Sequence, residues 1–359
     1  MNRIRVLVVE DSLTVRRRLV EVLGSDSGIE VVGEAEDGQR AIELCMALKP
    51  DIITLDMMLP VMSGLAATEY LMAYCPTPIL VVSSSVNRGE LYKTYEALAA
   101  GAVEVMEKPR ADEAEGEWER QFLSMVKLVA RVKVVTHLRG RRNARLPVPG
   151  EPPPDQRTAA ERTTAERAEA SVPGNGCRLV AIGTSTGGPG AIVEVLRALP
   201  PDFRLPVLLV IHISEPFGST FADWLDSQTT HRVHLAYNGE DLPRTGVVMA
   251  PPDRHLIVRD RKLYLTDGPE RYSCRPSVDV LFESVAREFG ATAAAVVMTG
   301  MGQDGARGLL AIREAGGLTL AQDEASSVVY GMPREAAQLG AAQMILPLNE
   351  IGPALAKLQ

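Results

Sequence analysis

Ser185, His212 and Asp304 each stand just past the end of an apolar, strand-like run in the second half of the chain, at residues 179–182, 207–211 and 293–298. Serine, histidine and aspartate are the parts of an acyl-transfer triad, in which the imidazole takes the hydroxyl proton and the carboxylate orients the ring. In an open parallel α/β sheet the carboxyl ends of the strands open onto a common crevice, so three residues far apart in sequence can converge there. A serine hydrolase is the first expectation. The first half carries a second constellation: Glu10 and Asp11 end one apolar run, Asp56 the third, Ser83 the fourth and Lys108 the fifth. Carboxylates from neighbouring strand ends make an oxygen-rich site suited to Mg²⁺. A hydroxyl and an ammonium beside it could bind a phosphoryl group on Asp56.

The surroundings of Ser185 sharpen the first reading. Gly183-Thr184-Ser185-Thr186-Gly187 fits G-x-S-x-G, in which small residues flank a serine exposed on a tight strand-to-helix turn. The helix-period segment 191–199 follows, and its start can offer backbone N–H groups to an oxyanion. A rival reading takes Gly-Thr-Ser-Thr-Gly-Gly-Pro-Gly as a dinucleotide loop. That loop should be answered by an acidic residue at the end of the next strand, where this chain has His212. Of the other histidines, His137 falls in a polar stretch, and His231, His234 and His255 flank or occupy polar, edge-like strands, so they are read as structural or exposed. Asp304 lies in a glycine-rich turn, Thr-Gly-Met-Gly-Gln-Asp-Gly-Ala. Its bland role is N-cap of the helix over 306–315; its chemical role is the triad acid.

These residues need strands to carry them. In the first half, apolar runs at 5–9, 29–35, 52–55, 79–83 and 103–106 alternate with helix-period segments, the pattern of a parallel sheet covered on both faces. A longer helical pattern covers 117–134. Arg139, Arg141, Arg142 and Arg145 then lead into Pro147, Pro149, Pro152, Pro153 and Pro154 and a polar stretch. Such a segment buries little apolar surface and reads as a linker, with transient helix at 159–170. From Cys177 the alternation resumes, with strands at 179–182, 207–211, 233–237, 246–250, 263–265, 293–298, 318–321 and 343–346, a doubly wound α/β layer with some antiparallel additions.

Composition sets limits. At 359 residues two domains are the better prior, and a formal charge of −8 argues against a nucleic-acid partner held by phosphate neutralisation. No apolar stretch approaches the ~18 residues that cross a bilayer, so no membrane insertion is expected and the cytoplasm is the default. The four cysteines (Cys45, Cys75, Cys177, Cys274) have no paired spacing and read as reduced thiols without a chemical role.

At this point two resemblances enter. The first half resembles the response-regulator receiver family, through Val-Val-Glu-Asp-Ser (8–12), Asp-Ile-Ile-Thr-Leu-Asp-Met-Met-Leu-Pro (51–60) with Gly64, Val-Val-Ser-Ser (81–84) and Glu-Lys-Pro (107–109). That resemblance implies a flavodoxin-like five-stranded fold over 1–125 and a phosphate accepted by Asp56 from a sensor histidine kinase. It implies Mg²⁺ held by Glu10, Asp11, Asp56 and the backbone carbonyl of Met58, with Ser83 and Lys108 reading the phosphoryl group. It also implies a cis bond before Pro109. Many receivers have aspartate where this chain has Glu10, whose longer side chain should still reach the metal.

The second half, 176–359, resembles the catalytic domain of the CheB family of chemotaxis protein-glutamate methylesterases. The matching segments are Ala-Ile-Gly-Thr-Ser-Thr-Gly-Gly (181–188), Phe-Ala-Asp-Trp-Leu (221–225), Ala-Pro-Pro-Asp-Arg-His (250–255), Arg-Pro-Ser-Val-Asp-Val-Leu-Phe (275–282), the 299–306 turn and residues 321–333. By that resemblance Ser185 is the nucleophile, His212 the base and Asp304 its orienting acid, with oxyanion donors from backbone near Thr186 and Met301 and no cofactor in the esterase. The substrates implied are glutamyl methyl esters, and glutamines, on methyl-accepting chemoreceptors. A linker of residues 126–175, with its helical extension, joins the halves. Ile211 stands where many members carry glutamine. The competing classes are a phosphorylation-controlled scaffold, a signalling esterase outside chemotaxis, and a transcriptional regulator. The last is disfavoured because no helix-turn-helix or basic output region follows.

Overall fold

The computed structural model describes residues 3–84, 87–109, 116–132, 134, 176–213 and 215–359. The arginine cluster, the proline tract and the helix expected at 159–170 lie outside these residues.

The first five strands are β1 (Ile4–Val9), β2 (Ile29–Ala35), β3 (Ile52–Leu55), β4 (Ile79–Ser83) and β5 (Glu104–Glu107), all parallel and ordered β2-β1-β3-β4-β5. This is the flavodoxin-like arrangement, whose strand order reverses between β1 and β3. Helices cover both faces, so β1 and β3 bury side chains on both sides and read as largely apolar runs: Val6, Leu7, Val8, Val9, Ile52, Ile53 and Leu55 are all essentially inaccessible, and Thr54 is buried with them. Three of the covering helices start on side-chain caps, Asp37 accepting from the Arg40 amide (2.8 Å), Ser63 from the Ala66 amide (3.3 Å) and Asn87 from the Glu90 amide (3.0 Å). The helix Glu117–Val129 continues past residue 125 without a break, placing Trp118, Phe122, Val126 and Val129 in one core with Val6 and Val8. The cis bond expected before Pro109 is not found. The cis peptide bonds among the described residues are Glu215–Pro216 and Arg275–Pro276.

The second half has a seven-stranded, wholly parallel sheet and a three-stranded antiparallel one. Their strands are β6 (Leu179–Thr184), β7 (Val207–Ile211), β8 (Val233–Leu235), β9 (Glu240–Asp241), β10 (Val247–Met249), β11 (His255–Arg259), β12 (Lys262–Thr266), β13 (Ala293–Val297), β14 (Leu318–Gln322) and β15 (Met344–Leu346). The large sheet runs β15-β14-β13-β6-β7-β10-β8, so the chain winds one way from β6 through β7 and the other way from β13. That reversal opens a crevice beyond the carboxyl ends of β6, β7 and β13. The small sheet, β11-β12-β9, supplies the expected antiparallel addition. β11 itself was not among the expected strands. Its hairpin to β12 turns on Asp260 and Arg261, both at positive φ (52° and 56°), without the glycine or asparagine that signals such a turn.

The two halves pack together through the helix Arg88–Ala99, which lies against the helices Gly188–Ala198 and Phe217–Gln228. Tyr95 is fully buried there, its ring edge-on to Phe221 (5.3 Å) and tilted against Trp224 (5.4 Å). Its hydroxyl donates to the Phe217 carbonyl and lies 2.6 Å from Thr220 Oγ1, so the polar end of the ring is satisfied. The Arg88–Asp223 pair at the rim is exposed on both sides and adds little.

Candidate functional site

Ser185 follows β6 and His212 follows β7, and both line one narrow crevice with Thr186 and Ile211. The loop after β13 is pulled against the serine turn by buried hydroxyls. Thr184 Oγ1 donates to the Thr299 carbonyl (2.8 Å), and Thr299 Oγ1 donates to the Thr186 carbonyl (2.9 Å). Gly300 makes the approach possible: a Cβ there would lie 2.8 Å from Ser185 Cβ and 3.0 Å from its amide nitrogen. No hydrogen bond among the described residues uses the amide N–H of Thr186 or Met301.

Asp304 does not cap the helix Ala306–Glu314, whose N-cap is Gly305 with no side-chain bond. It caps another one. Its Oδ1 accepts from Ser277 Oγ (2.8 Å) and the Asp279 amide (3.0 Å), and its Oδ2 accepts from the Val278 amide (2.7 Å) at the start of the helix Val278–Phe289. The same Oδ2 lies 2.9 Å from His212 Nε2. His255, read from sequence as structural or exposed, is buried and supports this arrangement: the Ser277 amide donates to its Nδ1 (3.1 Å), and its Nε2 reaches the Pro269 carbonyl (3.1 Å).

Charge follows geometry. Burial alone would push the Asp304 carboxyl up; the His212 bond and the donors from Asp279 and Ser277 outweigh it and hold the group below the ordinary carboxylate range. Burial likewise opposes a charged His212, yet the Asp304 and Cys274 contacts raise it to about 9. With Nε2–H turned to Asp304, the free nitrogen of the ring is Nδ1, and Cys274 Sγ sits 3.6 Å from it. Ser185 Oγ makes no hydrogen bond among the described residues.

The crevice is shared with the first half. Glu104, on β5, reaches it and accepts from Thr186 Oγ1 (3.0 Å), while Leu98 and Val103 close the same wall. Burial pushes the Glu104 carboxyl up, against the opposing pull of the Val105 amide, the Thr186 hydroxyl and His212. A cavity of about 420 Å³ continues between the halves, lined by Glu104, Thr186, Met301 and Tyr330 among others. Sequence reasoning missed both Glu104 and Cys274, because each reaches the site from an element with no motif of its own.

At the other crevice, Lys108 Nζ bridges Glu10 Oε2 (2.9 Å) and Asp56 Oδ2 (3.0 Å), and both carboxylates are buried. The Glu10 carboxyl is raised to about 7, chiefly by desolvation, with Lys108 opposing and Asp56 reinforcing the rise. Carboxylate oxygens of Glu10, Asp11 and Asp56 lie within 4.8 Å of one another, an all-oxygen donor set that fits Mg²⁺. Ser83 is fully buried at the end of β4. Gly64 presses on the loop after β3, where a Cβ would fall 2.1 Å from the Asp56 carbonyl oxygen.

Comparison with known proteins gives matches over both halves of the chain. The family model for the CheB methylesterase matches residues 180–355, and that for the response regulator receiver domain matches 6–115. A protein-glutamate methylesterase/protein-glutamine glutaminase from Anaeromyxobacter dehalogenans is 41% identical over 99% of this chain and 97% of its own length. The chain belongs to the CheB methylesterase family. A second such protein from the same organism is 43% identical over 99% of this chain and 95% of its own. The crystal structure of the Thermotoga maritima CheB methylesterase catalytic domain covers 51% of this chain and 99% of that one, at 33% identity and a TM-score of 0.49. Among the described residues no helix is long and apolar enough to cross a membrane.

Proposed function

We propose that this chain hydrolyses glutamyl methyl esters on the cytoplasmic helices of chemoreceptors, and deamidates glutamines by the same route, under control of phosphorylation at Asp56. Ser185 attacks the ester carbonyl, the Thr186 and Met301 amides receive the oxyanion, methanol leaves, and water cleaves the acyl-enzyme with His212 as base. The observation that carries this reading is the His212–Asp304 pair at the Ser185 crevice. Hydrogen bonds between nucleophile and base are often long in resting enzymes and tighten in the substrate complex, which accommodates the unbonded Ser185 hydroxyl. In the receiver, Glu10, Asp11, Asp56 and the Met58 carbonyl would hold Mg²⁺, which neutralises charge on the transferring phosphoryl group. Ser83 and Lys108 then bind its oxygens. A sensor histidine kinase supplies the phosphate, and the cytoplasm is the compartment this chemistry needs. The test is incubation with methyl-labelled receptor membranes, with and without a phosphodonor, following released methanol; no release under either condition sinks the reading.

His212 must be neutral to take the serine proton. Its folded value of about 9 means that activity should climb with pH across the alkaline side of neutrality, with a midpoint near 9. Asp304→Asn should move that midpoint down, and cost roughly a hundredfold less in rate than loss of the nucleophile. It should also lower the melting temperature, because one amide oxygen cannot serve the four donors that the carboxylate now receives. A pH–rate profile and a thermal melt on the same preparation check all three effects.

Resting control is assigned to the receiver, whose Glu104 stands in the crevice. Glu104→Ala in the full chain should raise methanol release without phosphodonor by roughly fivefold or more, the lower end of typical coupling between sites. An unchanged or lower rate would remove Glu104 from that role.

A further inference from the structure

Cys274 is a nucleophilic thiol that the hydrolytic scheme leaves unused, yet its placement is closely determined. It ends a two-residue turn in which its amide donates to the Arg271 carbonyl (2.9 Å) and Arg271 donates back to its own carbonyl (3.2 Å). The two central residues, Tyr272 and Ser273, both take left-handed φ (51° and 60°), a conformation unfavourable for non-glycine residues. The Arg271–Glu283 ion pair (2.6 Å) ties the turn to the helix Val278–Phe289. The outcome is a sulfur 3.6 Å from His212 Nδ1.

That separation has a chemical meaning beyond an S–H···N contact. Sulfur and nitrogen ligands of one tetrahedral Zn²⁺, at about 2.3 and 2.0–2.1 Å from the metal, lie about 3.5 Å apart. The ring is also prepared as a ligand in the way metal-binding histidines are. Its far nitrogen gives its proton to a carboxylate, Asp304, which is itself held by Ser277 Oγ and two backbone amides. Asp304 is near enough to group with Cys274 and His212, but it occupies the Nε2 side of the ring, so it orients the ligand and does not bind the ion. Both candidate ligands are half-buried beside the crevice, which leaves the remaining coordination positions to water.

We propose that Cys274 Sγ and His212 Nδ1 form an inhibitory site for a thiophilic divalent cation such as Zn²⁺. Binding displaces the thiol proton and the Nδ1 proton of the charged imidazole, releases both to solvent, and involves no change of oxidation state. The lone pair that would take the Ser185 proton is then committed to the ion. Inhibition rests on the hydrolase reading above; the binding does not.

The test uses the full chain and two metals. In metal-buffered Zn²⁺, methanol release by the unsubstituted protein should fall in the micromolar range and recover with chelator. Cys274→Ser and Cys274→Ala, each compared with its own metal-free rate, should need at least about tenfold more Zn²⁺ for the same inhibition, a difference of about 1.4 kcal/mol in binding. Independently of turnover, Co²⁺ should give a thiolate charge-transfer band in the unsubstituted protein. The band should persist when Cys45, Cys75 and Cys177 are replaced by serine and vanish in Cys274→Ser. Equal Zn²⁺ sensitivity in the Cys274 variants, or a band that survives Cys274→Ser, overturns the site. A protein that shows the band but releases no methanol without metal would leave the site standing and remove the esterase reading instead.

Discussion

Replacing Ser185 by alanine is expected to abolish methanol release, by ~10⁴-fold or more, while leaving the fold and phosphorylation at Asp56 intact. The expected size follows from the division of labour at the crevice. The His212–Asp304 pair and the amides of Thr186 and Met301, which donate to no partner among the described residues, remain in place, but without an attacking oxygen they can act only on water. The fold should tolerate the change because the Ser185 hydroxyl makes no hydrogen bond among the described residues, so its loss orphans no partner. The decisive measurement is release of labelled methanol from receptor membranes at equal protein concentration, with circular dichroism as the folding control. Turnover near that of the unsubstituted chain would remove Ser185 as nucleophile.

Asp56→Asn is expected to eliminate activation by a phosphodonor while basal activity persists. An amide at this position cannot accept the phosphoryl group, and it also removes the ion pair that Lys108 now makes with Asp56 Oδ2. Lys108 immediately follows β5, and β5 carries Glu104 into the esterase crevice. Phosphate on Asp56 would recruit Lys108 and Ser83 to new oxygens, so the strand that ends in the phosphoryl pocket is the one that begins at the esterase wall. A coupling of ~1–3 kcal/mol through this strand corresponds to a 5–150-fold change in the active fraction. The comparison is the ratio of rates with and without a small-molecule phosphodonor. A ratio in Asp56→Asn equal to that of the unsubstituted chain would place the control elsewhere. The Glu104→Ala variant links the two experiments, since it should mimic part of the activation without any phosphate.

Much of the architecture was legible before any coordinate. β1, β3, β6 and β7 are buried over most of their length, so they appear as largely apolar runs, and the residues at their carboxyl ends, Glu10, Asp56, Ser185 and His212, stand out by contrast; Lys108 instead follows β5, an edge strand that is only partly buried. β2, β3, β4 and β7 coincide with the runs read from sequence, and β1 and β5 differ by one residue at their boundaries. The β11–β12 hairpin escaped because its turn puts Arg261 at positive φ beside Asp260, and Asp-Arg lacks the glycine that marks the usual Asp-Gly turn.

What the tertiary structure alone decided is which groups face one another. Asp304 looks like a cap for the helix that follows it, but its carboxylate crosses the fold to cap Val278–Phe289 and bond His212, 92 positions away in sequence. The choice of Nε2 for that bond, and hence of Nδ1 as the free nitrogen, depends on how β7 and β13 flank β6. Cys274 arrives on a turn 62 positions from His212, and Glu104 from another domain 82 positions before Thr186. Local propensity and periodicity record only neighbours within a turn of helix or a step of strand. Contacts at such separations leave no periodic trace, because they are set by the packing of whole layers.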